Sequence, residues 1–269
     1  FTADMQDNGC FLVETPLYRV TFNATGAIGS LIDNKTGEEY VRTGSPGFNV
    51  LCCQTDRGDL WQYYEGPFRD GGIHAWESDK IDDPYPDMSK SYSKNGKRQV
   101  HEAFTSTDYA DAHISVAEIS EEHVTVCVSG AIRRVNPDFR YYSEEPLKIG
   151  WESRITFYAT DKRIDFTTNT HHIAGSYYRL RAAFFTDIQQ DEILHEVPFG
   201  YMQRDEGEYP AQNWMAYKDK HKALVLFNSG LPGNNVTDGV MMLSLMRSVD
   251  FATRAPSEMA LEKGQTHHF

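Results

Sequence analysis

Residues 151–170 read WESRITFYATDKRIDFTTNT, and their rhythm decides the fold class. Trp151, Ser153, Ile155 and Phe157 alternate with Glu152, Arg154, Thr156 and Tyr158, and beyond Asp161-Lys162 the residues Ile164 and Phe166 alternate with Asp165 and Thr167. A period of two places one set on each face of a strand, and an Asp-Lys step is turn chemistry. The stretch therefore predicts two antiparallel strands, each with one packed face. The rhythm recurs. In LYRVTFN, Tyr18, Val20 and Phe22 oppose Arg19, Thr21 and Asn23. In HVTVCVSG, Val124, Val126 and Val128 oppose Thr125, Cys127 and Ser129, and in YYRLRAAFF, Tyr178, Leu180, Ala182 and Phe184 oppose Arg179 and Arg181. Asn23–Gly26, Asp33–Gly37 and Asp238-Gly239 supply further turns, while helical periodicity is hard to find anywhere. The expectation is an all-β chain, a large antiparallel multi-sheet sandwich.

The chain has 269 residues, 40% of them hydrophobic and 13% aromatic, enough for a sizeable core and read here as a single domain over 1–269. A net charge of −13 repels phosphate backbones and anionic lipid, so neither nucleic acid nor a membrane surface is an expected partner. Neutral ligands such as carbohydrates remain open. Cys52 and Cys53 are strand neighbours that point to opposite faces and make poor disulfide partners, Cys127 reads as a buried free thiol, and Cys10 is left open. Asn23, Asn34 and Asn235 head Asn-x-Thr sequons. Residues 66–98 form a long irregular insertion, of which 79–98 is read as mobile, and 135–147 is a second irregular excursion read as a packed loop or an interface. The start at Phe1 and the stop at Thr266-His267-His268-Phe269, as if part-way through a strand, suggest a fragment of a longer protein.

No nucleophile elbow, zinc-protease, phosphate-loop or dinucleotide pattern occurs. His171-His172 and His267-His268 are strand neighbours facing opposite ways, so neither pair chelates one ion, and no metal site is expected. The stretch DRGDLWQYYEGPFRDGG, residues 56–72, is more suggestive. Asp56 and Asp59 are carboxylates of the type that glycoside hydrolysis pairs across a sugar bond, although loop spacing fixes no separation between them. Trp61, Tyr63 and Tyr64 are either core residues or the wall of a sugar subsite, since ring faces pack on sugar C–H patches and carboxylates accept from hydroxyls.

In order along the chain, GAIGSLIDNKTGEEY (26–40), FNVLCCQTDRGDLWQYYEGP (48–67), RITFYATDKRIDFTTNT (154–170), RLRAAFFTDI (179–188), HEVPFGYMQRD (195–205), YPAQNWMAY (209–217) and LVLFNSGLPGNNVTDGVMMLSLMRS (224–248) resemble the C-terminal β-domain of glycoside hydrolase family 38, the α-mannosidase family. The resemblance covers most of residues 11–250. It implies a galactose mutarotase-like supersandwich, and a parent enzyme that is a retaining, zinc-dependent α-mannosidase acting on mannose-containing oligosaccharides or glycosides. It also implies that the nucleophile, the acid and the zinc ligands belong to an N-terminal α/β catalytic domain that is missing here, so the fragment carries no catalytic residue and no cofactor of its own. Asp59 and Trp61, then Asp56 and Tyr63, fall where the family's β-domain approaches the sugar. Arg204 matches the arginine of the "V-P-F-G-x-x-x-R" stretch, either orienting a carboxylate or sugar hydroxyl or forming an interface salt bridge. The 66–98 insertion, and Trp61 where Tyr is frequent, depart from the family pattern.

Two other readings stand beside this one. A stand-alone aldose mutarotase or epimerase shares the sandwich and would use a histidine acid with a carboxylate base, for which His101, His113, His171 and His195 are available. A non-catalytic carbohydrate-binding module would bind glycan through the Trp61 region.

Overall fold

A computed structural model of the chain describes residues 1–6, 9–55, 104–133, 148–174, 178–189, 192–248, 251–252, 255–256 and 264–269. The strands in chain order are β1 (Thr2–Met5), β2 (Phe11–Glu14), β3 (Tyr18–Phe22), β4 (Ile28–Asp33), β5 (Phe48–Thr55), β6 (Phe104–Thr105) and β7 (His113–Ile119). They continue with β8 (His123–Arg133), β9 (Lys148–Tyr158), β10 (Ile164–Ala174), β11 (Tyr178–Phe185), β12 (Glu192–Val197), β13 (Gly200–Gln203) and β14 (Gly207–Pro210). The remainder are β15 (Trp214–Lys218), β16 (Ala223–Phe227), β17 (Gly233–Thr237), β18 (Val240–Ser248), β19 (Phe251–Ala252), β20 (Ala255–Pro256) and β21 (Thr266–His268). Among the described residues the only helical element is the 3₁₀ turn Ser106–Asp108, and no helix is long and apolar enough to cross a membrane. The irregular segments 66–98 and 135–147 lie outside the described residues.

A ten-stranded sheet runs β1-β2-β3-β4-β5-β11-β18-β17-β14, with β6 added on β5; a five-stranded sheet runs β21-β10-β9-β8-β7; a four-stranded sheet runs β13-β12-β15-β16; and β19 pairs with β20. Every pairing in these sheets is antiparallel. The residues that alternation assigned to the inside form one core between the two larger sheets. Tyr18, Val20 and Phe22 of β3 meet Val124, Val126 and Val128 of β8 and Trp151, Ile155 and Phe157 of β9, and Ile193, Met215 and Tyr217 of the four-stranded sheet join them. Phe22 lies edge-on to Phe157 at 6.4 Å, and Phe166 of β10 edge-on to Phe184 of β11 at 5.5 Å, the arrangement that ring quadrupoles favour.

The central strands depart from the expected pattern of one dry and one wet face. Leu180, Ala182 and Phe184 of β11 enter the main core, yet Arg181, Ala183 and Phe185 on the opposite face are also buried. Flanked by β5 and β18, β11 lies inside the sheet, and a second apolar cluster of Ala27, Val50, Cys52, Ala183, Phe185, Val240 and Met242 occupies its other face. Cys52 and Cys53 lie in different clusters, as their adjacency on a strand requires. None of the four cysteines is in a disulfide, and Cys127 is only half-buried, on the outer face of β8. A bulge at Asn49 (φ 57°), where the β5–β11 register shifts, sends Phe48 to the main core and Val50 to the second cluster; Asn is among the few side chains that accept this conformation.

The predicted turns form as their chemistry requires. Asp238 and Gly239, at φ 50° and 71°, close the two-residue β17–β18 hairpin with both residues left-handed. The Asp33 side chain accepts the backbone N–H groups of Lys35 (2.8 Å) and Thr36 (3.1 Å), and Gly37 follows at φ 75°. The same carboxylate, buried at its position on β4, also accepts from Lys162 Nζ at the β9–β10 turn and so ties the two large sheets together. Burial raises the Asp33 pKa, but hydrogen bonds from Lys162 and the two backbone amides outweigh it and leave the net value lowered. Of the sequons, Asn235 is buried with its Oδ1 held by Thr237 Oγ1 at 3.0 Å, which closes it to a glycan.

Gly26 and Gly37 separate two costs. Both have positive φ, but a Cβ on Gly26 would run into Val128 Cγ1 and meet Trp151, whereas nothing lies within 4 Å of one on Gly37. Gly37→Ala is expected to cost the left-handed penalty alone, about 1–2 kcal/mol. Gly26→Ala adds overpacking of the core, a further 1–3 kcal/mol or so. Urea unfolding midpoints should therefore fall clearly further for Gly26→Ala.

Candidate functional site

The second face of β11 carries an unusual charge arrangement. Arg179 and Arg181 point the same way, two residues apart, and their side chains are 3% and 0% exposed. Glu208 of β14 answers both. Arg181 Nη2 donates to Glu208 Oε1 at 2.9 Å and to Oε2 at 2.6 Å, and Arg179 Nη1 donates to Oε1. Withdrawing a guanidinium from water costs several kcal/mol, and a carboxylate in hydrogen-bonding contact is what makes it tolerable. The pairing Tyr178↔Thr55 and Arg179↔Gln54 brings the end of β5 beside the start of β11.

The next residue of β14 faces the other way. The Tyr209 ring stands edge-on to His195 of β12, with centroids 5.6 Å apart, and carries the guanidinium of Arg204 5.0 Å from its centre. Arg204 also donates from Nη1 to the Pro210 carbonyl at 2.9 Å, and its backbone N–H donates to Ile193 at 3.0 Å. His195 is fully buried, and neither ring nitrogen has a hydrogen-bond partner among the described residues. Burial first, and the Arg204 charge second, lower its pKa to about 4, so the imidazole is neutral at physiological pH.

Strands β12 and β13 form a hairpin whose tip is Pro198-Phe199. Phe199 has φ 69° and a fully exposed ring. Behind the tip, Tyr201 and Trp214 approach at 6.3 Å, and Trp214 pairs across strands with Phe227. Cross-strand partners share a face, so Tyr201, Trp214, Phe227 and Val225 line one side of the four-stranded sheet, with Glu196 between Tyr201 and β15 and the Glu192–Lys218 ion pair at the end of the same face. Tyr201 and Phe227 are 65% and 70% exposed.

Of the residues expected at the sugar, Asp56, Asp59, Trp61 and Tyr63 lie outside the described residues. Arg204 is described, at the root of the hairpin. Among the histidines, His101 is outside the described residues, His113 is exposed on β7, His171 is exposed on β10 with Nδ1 3.1 Å from Thr266 Oγ1, and His195 is buried far along the chain from both. No group of three His, Cys, Asp or Glu side chains among the described residues could hold a metal ion. Sequence reading overlooked Glu208 and the apolar sheet face. The alternation R-L-R-A of β11 did place two arginines on one face, a signal that a counter-ion was to be found.

Residues 13–252 match the family model described as the glycosyl hydrolases family 38 C-terminal domain. The chain belongs to that family. The family 38 domain superposes on a glycosyl hydrolase family 38 protein from Enterococcus faecalis with a TM-score of 0.69 at 15% identity, covering 96% of this chain and 29% of that one. An α-mannosidase from Enterococcus faecalis V583 gives 0.66 at 16% identity, with coverage of 96% and 28%. A galactose mutarotase-like protein from Lactobacillus casei, at 12% identity, gives 0.47 with 97% of each chain covered. No curated protein sequence matches the family 38 domain of this chain. This domain thus spans less than a third of the length of the family 38 chains it superposes on.

Two outcomes follow from the buried groups. The pKa of His195 is lowered in the folded state, so the unfolded chain takes up a proton first as pH falls, and stability is lost between its ordinary value of 6.5 and about 4. The loss attributable to this residue is on the order of 3 kcal/mol. His195→Phe should remove that component, seen as a smaller drop in urea midpoint than wild type between pH 7 and pH 4. Glu208→Gln should cost about 3 kcal/mol at any pH near neutrality, because it leaves two buried guanidiniums without the carboxylate.

Proposed function

We propose that the family 38 domain is the accessory C-terminal β-domain of a retaining, zinc-dependent α-mannosidase-type glycoside hydrolase, supporting the catalytic domain and contributing side chains to the sugar site. The observation that carries this reading is the family match over 13–252 in a chain that spans under a third of its structural relatives, one of which is named as an α-mannosidase. No set of three potential ligands among the described residues could seat the zinc that the reading implies. The ion is assigned to the rest of the parent polypeptide, and what this chain supplies is packing and hydrogen bonding.

Arg204 is the described residue proposed to reach the sugar. The Tyr209 ring and the Pro210 carbonyl fix its guanidinium through one face and one amino group, and its Nε and Nη2 donors have no partner among the described residues. A planar, permanently charged fork held this way is suited to two adjacent sugar hydroxyls or to a carboxylate. Asp59 and Trp61, with Asp56 and Tyr63, are proposed as further sugar-facing residues of the assembled enzyme, on the family resemblance of the stretch that holds them. Mannose-containing oligosaccharides or glycosides are the proposed substrates.

The test is made on the full-length parent. It should hydrolyse an aryl α-mannoside and lose turnover on zinc chelation, and the 269-residue chain alone should have no activity. In the parent, Arg204→Ala should lower kcat/KM roughly ten- to a hundredfold, equivalent to about 1.5–3 kcal/mol for a charged hydrogen bond, with Arg204→Lys recovering only part. An Arg204→Ala protein that is less thermostable yet fully active would assign Arg204 to structure alone. Asp59→Ala or Trp61→Ala with unchanged kcat/KM would remove those residues from the site.

A further inference from the structure

The strained tip of the β12–β13 hairpin and the rings behind it are exposed, and this domain buries little of them. Pro198 and Phe199 occupy the two central positions of a turn closed by Val197 and Gly200. Proline presets φ at the first of these to about −65°, and a left-handed second position is then the type II pattern, which glycine or asparagine satisfies without strain. Phe199 stands there instead, at φ 69°. Of the three non-glycine residues with positive φ among the described residues, the other two are Asn49 and Asp238, whose short polar side chains tolerate it. The ring gains nothing here in return, since it is fully exposed. Strain at a position where this domain gains no burial points to a contact made elsewhere.

Tyr201, Trp214, Val225 and Phe227 extend the same surface across the four-stranded sheet. Large rings sharing an exposed sheet face mark an interaction surface, because isolated exposed apolar residues are common but contiguous ones are not. The hairpin behind them is braced by Arg204 on Tyr209 and Pro210. We infer that this face, with Phe199 as its knob, is the docking surface for the rest of the parent polypeptide. Length identifies the occupant. The family model describes a C-terminal domain, and solved family 38 chains carry more than two-thirds of their residues outside the region this chain covers. The inference rests on the reading of this chain as an accessory domain, and it specifies which surface meets the partner.

Hydroxyl-radical footprinting of the full-length protein tests it, with each residue's oxidation rate normalised to that in the urea-unfolded protein. Phe199, Tyr201 and Phe227 should be protected more strongly than Met5 and Ile119, although Met5 and Ile119 are less exposed than any of the three in this domain. Labelling of the three rings at rates equal to or above Met5 and Ile119 overturns the proposal. Protection present only in a dimer makes the occupant a second copy, and protection present only with an α-mannosyl oligosaccharide makes the face a sugar platform; either result also overturns it. Phe199→Gly gives a second reading with a distinctive sign. Glycine relieves the left-handed strain, so a tip without a docking role predicts a raised or unchanged unfolding temperature in the full-length protein, whereas docking predicts a lowered one. Turnover of an aryl α-mannoside is measured separately. Protected rings without turnover sink the mannosidase reading alone, and turnover with open rings sinks the docking surface alone.

Discussion

The pairing of Arg179 and Arg181 with Glu208 constrains the middle of this domain more than any other interaction. Two guanidiniums on one strand are withdrawn from water, and the Coulomb and hydrogen-bond return from a carboxylate is what offsets their desolvation. The consequence is geometric. β14 must lie where Glu208 can fork onto Arg181 and reach Arg179, and this constrains the edge strand β14, paired on β17, relative to β11 two strands further in. Because successive residues of a strand face opposite ways, fixing Glu208 also fixes Tyr209 on the other side, where it receives His195 and Arg204. One short strand thereby couples the polar clamp to the root of the exposed hairpin.

The fold was legible because one face of most strands is dry and the other is not. Val124, Val126 and Val128, or Ile155 and Phe157, declare their side by alternation, and a one-residue slip would turn all of them toward water. The turns were legible for an equally local reason, since Asp238-Gly239 and Asp33–Gly37 contain the side chains those backbones demand. Alternation misleads where a strand lies in the middle of a sheet. β11 reads as two-faced, with arginines outside, yet both of its faces are covered, and the arginines are among the most buried side chains in the domain. A sequence records the period of a strand without recording what lies above it. The bulge at Asn49 is another such case, because one extra residue reverses the faces of β5 and nothing in FNVLCC announces it.

The site was less legible, for two physical reasons. Glu208 lies 29 and 27 positions along the chain from Arg179 and Arg181, and a pairing of that kind leaves no mark on local composition. Phe199, Tyr201 and Phe227 look like ordinary strand residues, since an exposed apolar side chain and a buried one have the same letter. Family resemblance did bring Arg204 forward, and the structure gives it a definite seat on Tyr209 and Pro210. The acids and aromatics of 56–66 depend on a resemblance that the described residues neither extend nor contest.

Several energetic conflicts gather around a single element. His195 is buried with neither nitrogen partnered among the described residues, Phe199 holds a backbone conformation suited to glycine, and Tyr201 and Phe227 present large rings to solvent, all in the β12–β13 hairpin or the sheet it belongs to. At many other described positions local preference and global fold agree: apolar alternation matches the core, the other left-handed positions carry Gly, Asn or Asp, and the buried Asp33 is answered by Lys162 and two amides. Several conflicts gathered in one hairpin mark a second constraint there, because the fold alone would have relaxed each with a common substitution. The clamp on β14 holds that hairpin from behind, so it is presented as a rigid feature rather than left to fray. Stability given up at a surface that is then braced is the arrangement expected of a domain that completes its contacts only within a larger polypeptide.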